Sequence, residues 1–322
     1  MIDNFGRSFH YLRLSVDDAC NFRCVYCLPN GFSKTTEEPV LAAAEIRRLV
    51  AAFAELGFWK VRLTGGEPTT RKDVVELARI ISSTPGVRKT ALSTNGYRLA
   101  ELARPLKDAG VSAVNVSVDS LDRKNFERIT GRDMLDEVLR GIDAALAAGM
   151  EAKINAVLLK GFNDEDLATF LEYARTKPVS VRFIELMKTG ENGELFEKHH
   201  LSGDKVLELL SQQGWTEQSR QEGDGPARRF SRRGFAGSIG LIAPYSKDFC
   251  STCNRLRVTS RGALKLCLFS DGQATLRDLL KDDSQRGPLQ ARLASLLGLK
   301  ESSHHLQEGL TGNAKNFALM GG

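Results

Sequence analysis

Apolar positions in this chain follow two alternating periods. Residues 11–16, Tyr-Leu-Arg-Leu-Ser-Val, alternate as a half-buried strand does and run straight into a cysteine-bearing loop. After a polar loop around 30–38, apolar residues at 46, 49, 50, 53 and 56 keep the helical repeat over 41–56, and Gly57 stops it. Strands are then expected at 60–64, 88–93, 113–118, 152–159 and 179–186, with helices at about 72–83, 98–109, 136–148 and 164–176 between them. Six strand–helix alternations predict a parallel sheet with right-handed crossovers. Residues 221–234 are charged and Gly-rich and read as a linker or surface loop, separating 1–225 from a smaller α+β part, 226–322. Beyond it come a strand-like 237–243, a helix near 274–281, and weak signals after about 285.

Composition narrows the class. The chain has 322 residues, 42% hydrophobic and 26% charged, which is ordinary for a soluble globular protein of about two domains. It has no N-terminal signal pattern and no apolar run of membrane-spanning length, so a cytoplasmic protein with no membrane partner is expected. A net charge of +5 favours an anionic substrate slightly and does not argue for nucleic acid. The basic run 228–233 reads as solvated surface, so no nucleic-acid partner is expected.

All six cysteines fall into two triplets, which in a reducing compartment suggests metal ligands rather than disulfides. Cys20, Cys24 and Cys27 are spaced C-x3-C-x2-C, with Tyr26 just before the last thiol. Structural zinc takes four ligands and a disulfide two, whereas three thiolates fit three corners of a cubane iron–sulfur cluster with one iron open. A zinc knuckle short of one ligand stays as the alternative. Cys250, Cys253 and Cys267 are spaced C-x2-C-x13-C, with Asn254-Arg255-Leu256-Arg257 between the second and third. Iron needs neither arginine, but a polyphosphate suits both; two surface charges are the alternative. Gly65-Gly66-Glu67-Pro68 follows a strand, where glycines let a backbone edge approach a ligand, or make a plain turn. Arg13 and Lys153 sit at strand positions where a long cation is costly unless it meets an anion. His199-His200 and His304-His305 read as surface residues.

The cysteine loop with its aromatic resembles the radical S-adenosylmethionine (SAM) superfamily, and the wider pattern resembles its GTP 3′,8-cyclase family. The residues carrying that likeness are Leu12-Arg13-Leu14-Ser15, Asn21-Phe22-Arg23, Val61 to Pro68, and Ser93-Thr94-Asn95-Gly96. Asn115 to Leu121, Arg182 to Met187, Cys250 to Arg257 and the terminal Gly321-Gly322 complete it, so it spans nearly the whole chain.

The resemblance implies an incomplete parallel (βα)6 barrel closed by a smaller C-terminal α+β domain. It implies two [4Fe–4S] clusters, one on Cys20, Cys24 and Cys27 and one on Cys250, Cys253 and Cys267. Tyr26, Gly66, Ser117 and Met187 would line the SAM site; Arg13, Arg62, Ser93, Lys153, Arg255, Leu256 and Arg257 would contact GTP; Gly321 and Gly322 would enter the pocket. Ser93 stands where the family usually has threonine.

The implied reaction is abstraction of the ribose 3′ hydrogen by a 5′-deoxyadenosyl radical and attack on guanine C8. Its product is (8S)-3′,8-cyclo-7,8-dihydroguanosine 5′-triphosphate, an early intermediate of molybdenum cofactor biosynthesis. An external electron donor and a downstream cyclic pyranopterin monophosphate synthase are the implied partners, and a homodimer is compatible. A radical SAM peptide maturase is the nearer rival, and a zinc module acting on nucleic acid the farther one.

Overall fold

A computed structural model describes residues 1–34, 36–270, 272–312 and 315–318. The barrel strands are β1 (Tyr11–Asp17), β2 (Lys60–Gly65), β3 (Lys89–Thr94), β4 (Val111–Ser117), β5 (Glu151–Leu158) and β6 (Ser180–Glu185). The helices between them are α1 (Ala43–Glu55), α2 (Val74–Ser82), α3 (Leu99–Asp108), α4 (Arg123–Thr130), α5 (Leu135–Ala147) and α6 (Leu167–Thr176). α7 (Gly193–His199) and α8 (Asp204–Gln212) follow β6. The rest of the chain adds β7 (Thr216–Gln218), β8 (Arg228–Ser231), β9 (Ser238–Ile242), β10 (Arg255–Val258), β11 (Ala263–Lys265), β12 (Ala274–Thr275) and α9 (Arg286–Leu297).

All these strands join one sheet, ordered β12-β11-β10-β1-β2-β3-β4-β5-β6-β9-β8-β7. Every pairing from β10 to β9 is parallel, and the outer ones are antiparallel. The strands after residue 225 therefore extend both edges of the barrel sheet. Laid flat, eight parallel strands would spread over roughly 34 Å. Residues of β1 to β6, β9 and β10 nevertheless line a single cavity, so the sheet curls around it.

The two-residue period of the strands sorts the side chains. Leu12, Leu14, Val61, Leu63, Leu256 and Val258 pack into the main hydrophobic core beside Ile46, Leu49, Val50 and Phe53 of α1. The intervening residues face the cavity. Register places Arg257, Arg13 and Arg62 in one row, and Arg255, Tyr11, Lys60 and Lys89 in the next.

Three expectations are corrected. Part of the 221–234 loop is strand, since β8 pairs with β9 through Phe230, opposite Ile239. Residues 274–281 form no α-helix: Leu276 and Leu280 are buried at helical spacing, but a 3-10 turn at Arg277–Leu279 links them. The stretch after 285 holds a full helix, α9, which buries Leu289, Leu293 and Leu297; Gly287 and Pro288 in its first turn mask the signal.

Candidate active site

The first triplet sits on the loop after β1, all three thiols partly buried. The C-terminal end of α4, which the periodicity did not reveal, holds this loop. Arg23 N–H donates to the Thr130 carbonyl and Val25 N–H to that of Ile129, each at 2.9 Å. The Gly65-Gly66 strip presses on the same loop from the other side. Gly65 has φ +149°, and a Cβ there would lie 2.2 Å from the Asp17 carbonyl. A Cβ on Gly66 would lie 2.3 Å from the Ala19 carbonyl. The glycines are thus required by close approach to the cysteine loop's own backbone, to which Gly66 and Glu67 N–H donate at 2.9 and 2.7 Å.

Burial dominates here, with neighbouring negative charge adding to it. Burial, then Asp119 and the two neighbouring thiols, push Cys24 well above the usual thiol range. Burial and Cys20 push Cys27 up to about 12, and burial pushes Cys20 up to about 11. Three thiols that resist ionisation together need a bound cation to hold them as thiolates. Tyr26 donates to Asp119 Oδ2 at 2.9 Å, and Val157 N–H donates to Oδ1 at 2.8 Å, so the loop is tied across β4 and β5. Asn192 Nδ2 reaches the carbonyls of Met187 at 3.0 Å and Tyr26 at 3.4 Å, joining two residues of the implied SAM site. Backbone groups of Phe317 and Ala318 hydrogen-bond to Cys27, so the C-terminal segment meets the first triplet. Gly321 and Gly322 lie outside the described residues.

Two thiols of the second triplet have the opposite electrostatics. Burial raises the Cys250 thiol, but the imidazole and N–H of His304 outweigh it and bring it down to about 7. At Cys253 burial is outweighed by Arg255 and Lys300, and the thiol falls below its usual value. Arg7, unremarked in the sequence, donates to the carbonyls of Cys250, Glu301 and Ser302 at 3.2, 2.6 and 2.6 Å. His304 is no surface residue: it is only 8% exposed. It lies in a loop rather than a strand, so the alternation argument does not apply to it. His200 also turns inward, with Nε2 3.0 Å from Glu185 Oε1. Among the described residues no three His, Cys, Asp or Glu side chains are placed to hold one metal ion. Three thiols per site, with Cys250 and Cys253 favouring the thiolate, are a donor set that fits an iron–sulfur cluster.

Between Met187 and the second triplet lies a cavity of about 360 Å³. It is lined by ten cationic side chains and three carboxylates, Glu151, Glu222 and Asp224. Burial lowers Arg13 and Arg182 to about 10 and Arg257 to about 9. Arg257 Nε is buried with no hydrogen-bond partner, as are Asn115 Oδ1 and Asn155 Oδ1 on neighbouring strands. Burial also raises Tyr11, but Arg62, Arg13 and Lys60 together pull its phenol down to about 6. Arg62 Nε donates to the Tyr11 oxygen at 2.5 Å. The arrangement suits a multiply charged anion with polar groups at its other end.

Of the residues implied for GTP, Arg13, Arg62, Lys153, Arg255 and Arg257 line this cavity. Ser93 Oγ is 3.4 Å from Arg62 Nη1. Lys153 meets the anion its position required, Glu151 Oε2 at 3.4 Å. Leu256 is 0% exposed and its side chain packs into the core, leaving its backbone to the site. Ser117 is partly buried at the end of β4.

Residues 14–174 match the family described as the radical SAM superfamily, and residues 179–306 match Molybdenum Cofactor Synthesis C. A relative from Shewanella denitrificans, named GTP 3′,8-cyclase, is 50% identical over 99% of this chain and 95% of its own. One of the same name from Aeromonas hydrophila is 52% identical over 99% of this chain and 95% of its own. The fold is similar to a crystal structure of Streptococcus suis SuiB bound to S-adenosylmethionine. That similarity has a TM-score of 0.61 at 15% identity, over 88% of this chain and 68% of that one.

Proposed function

Because the chain belongs to the GTP 3′,8-cyclase family of radical SAM enzymes, we propose that it cyclises GTP to 3′,8-cyclo-7,8-dihydro-GTP. It is a radical SAM enzyme of molybdenum cofactor biosynthesis. On this reading Cys20, Cys24 and Cys27 hold the SAM-binding [4Fe–4S] cluster, and Cys250, Cys253 and Cys267 hold a second. When bound, the first cluster and SAM would supply a radical that takes the ribose 3′ hydrogen; C3′ would then bond to guanine C8, and one electron from the external reductant with one proton would complete the 7,8-dihydro product.

The chain's own residues bind, orient and exclude water. Arg13, Arg62, Arg255 and Arg257 grip the triphosphate from adjacent strands, where paired guanidinium groups can each take two phosphate oxygens. Lys60 and Lys153 add charge on either side. Holding the nucleotide in one pose against the SAM side of the cavity removes the entropy of bringing C3′ to the radical. Met187 and Asn155 stand in that same cavity wall. An external reductant is needed, and a cyclic pyranopterin monophosphate synthase takes the product onward.

The observation that carries this reading is the row Arg257–Arg13–Arg62, laid along the cavity with Arg257 Nε unpartnered, next to Cys253 and Cys267. Anaerobic incubation with SAM, reductant and each nucleoside triphosphate, followed by mass analysis, tests it. A product isomeric with GTP plus 5′-deoxyadenosine, from GTP alone, is expected. Equal turnover of ATP, or of a peptide instead, overturns it.

A further inference from the structure

His304 has no part in the reaction as set out above, yet it is built tightly into the second triplet. Its ring packs between Phe249 and Phe269, with centroids 5.7 and 5.8 Å away. Its backbone N–H donates to the Cys250 sulfur at 3.4 Å. Ring Nδ1 accepts the Leu306 N–H at 3.3 Å, which assigns the proton of the neutral ring to Nε2. Nε2 is buried without a well-aligned hydrogen-bond partner, and the ring sits against the Cys250 sulfur. Its phenylalanine neighbours offer none, and the residue lines the cavity beside Cys250, Cys253 and Cys267. A buried donor set against Cys250 with no well-aligned acceptor among the described residues calls for the group that this thiol would hold.

We propose that His304 is a positioning residue for the second cluster, donating its Nε2 proton to a cluster sulfur and thereby raising that cluster's reduction potential. This rests on the reading that Cys250, Cys253 and Cys267 carry a cluster. A reduced cluster holds one more negative charge, so a hydrogen bond to its sulfur stabilises the reduced form over the oxidised one. Two donors from one residue, the backbone N–H on Cys250 and the ring N–H beside it, would bias the same redox couple. Arg7 fixes the loop that presents them through the carbonyls of Glu301 and Ser302.

The test is a potentiometric titration of the holoenzyme followed by electron paramagnetic resonance, with iron and sulfide counted per chain. His304→Phe keeps an aromatic ring and removes the donor; His304→Gln keeps a donor. We expect His304→Phe to move the second cluster's reduced-to-oxidised ratio about tenfold toward oxidised at fixed potential, roughly 59 mV for one electron. The first cluster should be unmoved, and His304→Gln should restore most of the difference. An unchanged potential in a fully loaded His304→Phe overturns the proposal, as does an equal shift in both variants, which would mark packing. Should His304→Phe lose iron, a His304→Gln that keeps both iron and potential supports the donor role, and one that also loses iron overturns it. Wild-type protein with only about four irons would instead remove the second cluster itself.

Discussion

Glu67 Oε1 accepts the hydroxyl proton of Thr94 at 2.7 Å, joining the end of β3 to the strip that follows β2. The same carboxylate accepts from Thr69 N–H at 3.0 Å and from Asn95 N–H at 2.6 Å, and it is 0% exposed. One buried side chain thus fixes the backbone on which the cysteine loop rests. Glu67→Ala leaves these donors without acceptors, at about 1–3 kcal/mol for each buried group. We expect a loss of about 3 kcal/mol or more by urea unfolding. Purified protein should lose iron at the first triplet before the second.

Charge in the cavity should be pH-dependent. Burial lowers both Lys60 and Lys153 to about 8. Each is a cation below that value and neutral above it, so an anionic ligand gains from them at low pH and loses them as pH rises through 8. Affinity for GTP should weaken above pH 8, by up to about tenfold per pH unit for each lysine titrated. Guanosine, without phosphates, should show little of this in the same calorimetric titration. A flat GTP profile between pH 7 and about 9.5 would show that neither lysine faces the phosphates.

The two triplets should fail separately. Cys24→Ala should abolish SAM cleavage, because its cluster loses one of three ligands. Cys253→Ala should spare some uncoupled formation of 5′-deoxyadenosine while cyclised product disappears. The raised thiols of the first triplet add that loading its cluster releases protons, measurable with a pH indicator during anaerobic reconstitution.

The phosphate-binding role proposed for Arg255 and Arg257 has its own readout. Arg257→Ala or Arg255→Ala should weaken GTP binding by about 1.5–3 kcal/mol, as for a hydrogen bond to a charged group. SAM binding should stay within error of wild type, and guanosine should lose little. Equal losses for guanosine and GTP would place these side chains away from the phosphate chain.

Much of the barrel was legible because each strand–helix unit carries its own period, several with a glycine stop, as at Gly57, Gly110 and Gly149. Both triplets were visible as patterns because their thiols are close in sequence. What stayed hidden depends on contacts far apart along the chain. Arg13 meets Arg257 only because β10 joins the edge of β1, which no local pattern encodes. Asn192 and Arg7 act through backbone carbonyls, which carry no side-chain signature. His304 was visible as a residue, but its burial follows from Phe249 and Phe269 folding over it.

On the proposed reading the cavity holds one ribose carbon against a radical, so the fate of a single hydrogen tests the account most directly. GTP deuterated at C3′ is incubated anaerobically with the loaded enzyme, SAM and reductant, and the 5′-deoxyadenosine is weighed by mass spectrometry. Deuterium in the 5′-deoxyadenosine, one atom for each molecule of cyclised product, is the predicted result. Cyclised product accompanied by unlabelled 5′-deoxyadenosine would contradict it.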